Sequence, residues 1–130
     1  MAYIKYKELT RAFNFRTKLP LENAPEFISH YIEPGEKIIS IYGTRSDTCV
    51  FTDRKLILFD IGIIHASKKI HMFYRDKITS SAIEYRFDSI NLYFTFDSGY
   101  QTKIGFSGFS GQDKTEFRKM YLAFISGTKV

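Results

Sequence analysis

The stretch CVFTDRKLILFDIG, Cys49 to Gly62, sets two apolar runs on either side of a charged knot, Thr52-Asp53-Arg54-Lys55. Asp and Arg are natural occupants of a reverse turn, because Asp bonds its own downstream backbone and both side chains reach water. A reactive centre would want a histidine, a second carboxylate or a nucleophile at a defined neighbouring position, and none stands there. The knot therefore reads as a hairpin turn. The run after it is apolar on both faces, Leu56 and Leu58 opposite Ile57 and Phe59, so this strand needs cover on both sides.

Outward from the hairpin, the period stays near two from Glu36 to about Phe106. Seven segments follow: 37–43, 47–52, 55–61, 68–75, 79–87, 91–97 and 100–106. Their connections are short, which predicts an antiparallel meander. The alternation is cleanest in NLYFTFD, where Leu92, Phe94 and Phe96 face one way, and in YQTKIGF after the Ser98-Gly99 turn.

Helical signals flank the strands. Asn23 suits an N-cap, Pro25 the first turn, and Pro34-Gly35 a stop, with Ala24, Phe27, Ile28, Tyr31 and Ile32 as the apolar stripe. After the last strand, GFSGFSGQD opens a second helix, with Ser110 as N-cap and Asp113 reaching back. Phe117, Met120, Tyr121, Phe124 and Ile125 fall on one face of it, and Gly127 ends it. The glycines lack the Lys and Ser/Thr that a phosphate-cradling P-loop requires.

At 130 residues, 44% of them apolar, the chain suits one folded domain: an N-terminal basic, helical extension over 1–35 and a β-rich body over 36–130. The single Cys49 excludes an internal disulfide and a cysteine zinc cluster and fits a reducing cytoplasm. The net charge of +5 is concentrated in residues 1–20, where Lys5, Lys7, Arg11, Arg16 and Lys18 face Glu8 alone. Such an arm suits solvent or a polyanion.

The segment EPGEKIISIYGTRSDTCVFTDRKLILFD, then Gly62, the pair Lys68-Lys69, FYRDKITSSAIEY, KIGF and the final helix resembles the bacterial pleckstrin-homology-like domains, over residues 33 to 125. The resemblance implies an α+β, mostly β fold: a bent, antiparallel, seven-stranded barrel of two packed sheets. The C-terminal helix would close one end, with Phe117, Met120, Tyr121 and Phe124 as the plug. It also implies a binding or assembly module, often self-associating, with no general catalytic set. The first hairpin departs from the lipid-binding pattern of eukaryotic pleckstrin-homology domains, since YGTRSDTC supplies Arg45 alone with Asp47 close by. A multiply charged headgroup wants several converging donors.

Five cations form the candidate anion or partner site: Arg45, Arg54, Lys55, Lys68 and Lys69, the last four brought together if hairpin ends converge. The candidate apolar interface is Tyr6, Leu9 and Phe13, spaced i, i+3, i+7 in the arm, with Ile57 and Phe59 on the strand. His30, His65 and His71 carry no metal-ligand spacing. No metal, cofactor or small-molecule substrate is expected, and no catalytic residue. The expected function is a non-enzymatic protein-interaction module, self-associating into a homo-oligomer in the cytoplasm. The alternative is a binder of anionic membrane or nucleic acid, using the arm with Tyr3, Tyr6, Phe13 and Phe15 interleaved among its cations.

Overall fold

The computed structural model describes residues 13–44, 46–61 and 68–126. In chain order these form β1 (Phe13–Phe15), β2 (Thr17–Leu19), α1 (Glu26–Ser29), β3 (Ile38–Gly43), β4 (Thr48–Thr52), β5 (Lys55–Asp60), β6 (Lys69–Tyr74), β7 (Ile78–Tyr85), β8 (Ser89–Phe96), β9 (Gln101–Ser107) and α2 (Gly111–Ser126). The seven expected segments are β3 to β9, each within two residues of its expected bounds.

The strands divide into a four-stranded sheet, β1-β9-β8-β7, and a five-stranded sheet, β2-β3-β4-β5-β6. The meander is antiparallel throughout. A 3-10 turn at Arg75–Lys77 carries the chain from β6 in one sheet to β7 in the other. The expected closed barrel is corrected at this point. Among the described residues β6 and β7 each end a sheet and do not pair, so the two sheets stay separate.

The inner faces of both sheets and α2 enclose the main core, in which Phe51, Phe106, Phe117 and Phe124 are fully buried. The Phe106 and Phe117 rings lie 4.6 Å apart, and Phe51 meets Phe124 edge-on at 5.2 Å. Ser110 and Asp113 form the reciprocal cap of α2: Asp113 N–H donates to Ser110 Oγ at 3.2 Å, and Ser110 N–H donates to Asp113 Oδ2 at 2.9 Å.

A second apolar layer covers the opposite face of the five-stranded sheet: Ile41, Val50, Ile57 and Phe59 under Ile28, with Tyr31 and Ile32 packed alongside. Phe27 and Tyr31 both meet Phe59 edge-on, at 5.1 and 5.6 Å. The both-faced apolar strand is thus β5, with Leu56 and Leu58 in the main core and Ile57 and Phe59 in this layer.

The N-terminal extension is less helical than expected. Its helix is one turn, 26–29, where 23–33 read as helical. Pro25 supplies no amide donor, and Pro34 with Gly35 at φ +82° turns the chain within a few residues. Residues 13–15 are not helical at all: β1 lies parallel to β9, and Phe15 is buried against Phe106 at 5.8 Å. Phe13 and Phe15 flank Asn14, a period-two pattern too short to outweigh the i, i+7 spacing from Tyr6.

Candidate functional site

The charged knot is the best-connected polar cluster of the described structure. The two-residue turn Asp53-Arg54 joins β4 to β5. Thr52 Oγ1 accepts the backbone N–H of Arg54 and of Lys55, at 3.0 and 2.9 Å, and its hydroxyl bonds the carboxylate of Glu36. Asp53 N–H donates to Lys37 O at 3.0 Å, and Lys37 N–H returns to Asp53 Oδ1 at 3.1 Å. The turn is therefore fixed to the segment entering β3.

Lys55 is 1% exposed. Its ammonium donates to Glu36 Oε1 at 3.0 Å and lies 3.6 Å from Glu33 Oε2, with the Tyr74 ring 5.9 Å away. Burial pushes the Glu36 carboxyl up. The hydrogen bonds from Thr52, from the Glu33 backbone and from Lys55, with the charge of Lys55, outweigh that burial and hold it below its usual value of 4.5. Arg54 reaches Glu33 Oε1 at 3.1 Å from the surface.

This geometry corrects the expected cation cluster. Lys55 is buried in an internal ion pair and has no face to offer an anion. Register separates the rest: Asp60 opposes Lys69 and Lys55 opposes Tyr74, so Arg54 and Lys68-Lys69 sit at opposite ends of β5. At about 3.3 Å per residue that is about 17 Å. An antiparallel hairpin puts its turn and its open end at opposite poles, and charge counting along the sequence does not see this. Arg45 lies outside the described residues.

The candidate apolar interface divides likewise. Ile57 and Phe59 are 0% and 2% exposed, covered within this chain by α1 rather than left for a partner. Tyr6 and Leu9 lie outside the described residues, as does the Phe13 side chain. The cover missed by sequence reasoning comes from Ile28 and Phe27, whose helical stripe was visible without its target.

Elsewhere the polar groups are mostly engaged with one another. A shallow depression lined by Arg16, Lys18, Tyr42, Phe109, Asp113 and Glu116 lies beside the start of α2. Burial drives the Tyr42 hydroxyl up to about 12. The backbone and hydroxyl of Ser110 hold Asp113 low, so its carboxylate serves the cap. On the outer face of the four-stranded sheet, Glu84 accepts from Asn91 Nδ2 at 3.0 Å and the Tyr93 hydroxyl at 2.9 Å. Those bonds hold the Glu84 carboxyl below its usual range. Burial pushes the Cys49 thiol well up. His30 and His71 join no cluster of three or more metal-ligating side chains among the described residues, and His65 lies outside them. No described helix is long and apolar enough to cross a membrane.

Besides Leu21, just after β2, large apolar side chains are exposed near two sheet edges. The β6 edge carries Tyr74 beside half-buried Ile70, Met72 and Phe73, with Phe27 exposed over Phe59 one strand in. On the β7 side, Tyr85, Phe87 and Leu122 are exposed, Phe87 at 97%. Sequence reasoning missed both, since an edge is a property of strand order rather than of any residue.

No curated protein matches the chain. Several solved structures share its fold, three of them as follows. A DUF1696-family protein with a pleckstrin-homology domain from Shewanella loihica is 20% identical, with a TM-score of 0.67, over 88% of this chain and 99% of that one. A PH-domain-containing protein from Exiguobacterium sibiricum is 15% identical, with a TM-score of 0.61, over 87% of this chain and 61% of that one. A pleckstrin homology domain from Shewanella amazonensis is 22% identical, with a TM-score of 0.55, over 79% of this chain and 92% of that one. The family model of the bacterial PH domain matches residues 10–122, taking in both sheets and most of α2. A match over that much of the sequence, on a fold shared with these bacterial domains, places the chain in the bacterial PH domain family.

Proposed function

We propose that this chain is a non-catalytic interaction module that assembles with copies of itself through the open edge of the five-stranded sheet. The observation that carries the reading is β6. It ends its sheet unpaired among the described residues, and its outer face is a row of large apolar side chains, Ile70, Met72 and Tyr74. An unpaired edge of that composition is a template for another chain, and two copies related by a two-fold axis present it to each other. Lys68 and Lys69 stand at one end of this edge, where their charge deters pairing, and leave residues 70–74 as the stretch open to a second chain. Three cations are already paired within the chain, Lys18 with Glu116, Arg54 with Glu33 and Lys55 with Glu36, which takes these three out of any polyanion site.

Light scattering at low and high salt tests the reading. The full chain is expected to give the mass of several copies at both, since apolar contacts resist screening. Met72→Lys, placing a charge on the edge, is expected to give a monomer with an unchanged circular dichroism spectrum. A monomeric native chain overturns the proposal. An assembly that dissociates in salt points to the basic arm and a charged partner.

A further inference from the structure

We propose that the groove between the free edge of β7 and one flank of α2 binds an extended peptide whose N-terminal half is acidic and whose C-terminal half is apolar. The inference goes beyond assembly at β6 and does not depend on it. β7 ends the four-stranded sheet, eight residues long, and no described strand pairs its outer side. At the turn into β8, Arg86 N–H donates to Ser89 O at 2.8 Å, which makes 86 and 89 a hydrogen-bonded pair. Alternation along the antiparallel register then gives 84 with 91 and 82 with 93 the ladder bonds. The N–H and C=O groups of Ser81, Ile83 and Tyr85 therefore point away from β8, toward the open edge. Apart from a register shift between Ile78 and Ser80 at its start, this edge lacks the usual guards. Residues 78–85 contain no lysine or proline, and the single charge, Glu84, is held on the sheet's outer face by Asn91 and Tyr93.

The side chains of Ser81, Ile83 and Tyr85 lean toward α2, which runs alongside in the opposite sense. The Ser81 and Tyr121 hydroxyls are 2.5 Å apart, and Lys114 Nζ donates to Arg86 O and Phe87 O at 2.5 and 2.7 Å. Helical spacing puts Lys114, Arg118, Tyr121, Leu122 and Ile125 on this flank, with Arg118 between the two anchor points. Arg118 is exposed and makes no hydrogen bond or ion pair among the described residues. A strand added antiparallel to β7 would turn alternate side chains toward α2. Those near Arg118 and Lys114 meet positive charge, and those farther along meet Tyr121, Leu122 and Ile125. Phe87 and Tyr85 form the rim at the acidic end. The same charge disfavours a second copy in the groove. Two-fold pairing of β7 with itself about Ile83 would continue one sheet, with both α2 helices on the same side, and would set Arg118 opposite its own image.

The probe is a fluorescein-labelled octapeptide, Thr-Glu-Thr-Glu-Thr-Val-Thr-Val, with one version carrying lysine for glutamate and one N-methylated at alternate residues. Fluorescence polarisation with the full chain is expected to show saturable binding of the first peptide alone. Amide exchange is expected to slow at Ser81, Ile83 and Tyr85 when it binds. Arg118→Glu, at an exposed position, should weaken the acidic peptide about tenfold and admit the lysine version. Three results each overturn the proposal: no saturable binding up to about 1 mM peptide, protection confined to β6, or an affinity unmoved by Arg118→Glu. Protection of the same three amides by rising protein concentration without peptide also overturns it, by making a second copy the occupant.

Discussion

Removing one partner of the Glu36–Lys55 pair is expected to cost far more than replacing both. In Glu36→Ala the Lys55 ammonium, 2% exposed as a side chain, loses its 3.0 Å partner and keeps only Glu33 at 3.6 Å. The Glu33 N–H loses an acceptor at 2.8 Å, and the Thr52 hydroxyl loses one as well. Leaving a buried charge uncompensated costs about 3–5 kcal/mol, a large share of a small domain's stability. Glu36→Leu combined with Lys55→Met removes both charges and is expected to cost only about 1–2 kcal/mol, because Thr52 still donates to Lys55 O at 3.1 Å and no ion remains buried. The coupling from a double-mutant cycle in urea should therefore reach at least about 2 kcal/mol. Acid supplies a second arm. The folded carboxyl of Glu36 titrates below 4.5, so its stabilisation is fully present above that pH and is lost as pH falls through the folded value. The gap between native chain and Glu36→Ala should narrow on acidification from pH 7 to pH 3. Single variants costing less than about 1 kcal/mol each, or a double variant equal to the sum of the singles, would refute the account.

Phe124→Ala should cost about 3–5 kcal/mol in the same urea titration, since it removes a fully buried ring that meets both Phe51 and Phe94; a loss under about 1 kcal/mol would mean that α2 does not close the core. Cys49 is fully buried, with its thiol pushed up by that burial, so a thiol-reactive dye should label it only as the chain unfolds, at a rate that follows denaturant. Rapid labelling of the native protein would contradict the packing of β4.

The strands were legible because a sheet with a buried inner face writes its period into every residue. Leu92, Phe94 and Phe96 alternate with Asn91, Tyr93 and Thr95, and the structure buries the first set and half-exposes the second. The cap was legible too, since Ser110 and Asp113 are three residues apart and bond each other locally. What failed depended on distance along the chain. Glu36 reaches Lys55 across 19 residues, and nothing in the string DRK says which cation will be taken inside. β1 lies parallel to β9 some 90 residues on, in a three-residue strand that carries almost no periodic signal. The site followed the same rule: residue types gave the cations, and register dispersed them.

β5 explains why the knot and the short helix belong to one device. A helix of four residues is marginal alone, because nucleation costs more than one turn of hydrogen bonds returns. α1 persists because β5 presents Ile57 and Phe59 on the face away from the core, and Ile28, Phe27 and Tyr31 cover them. The segment that follows α1 is then fastened at Glu33 and Glu36 to Arg54 and Lys55, the two adjacent cations where the β4–β5 turn enters β5. One hairpin thus supplies both the apolar floor and the charged latch for the same strap. Arg54 and Lys55 are committed to holding the outer layer in place, which is why the proposed assembly and the proposed peptide site both rest on the edges that strand order leaves open.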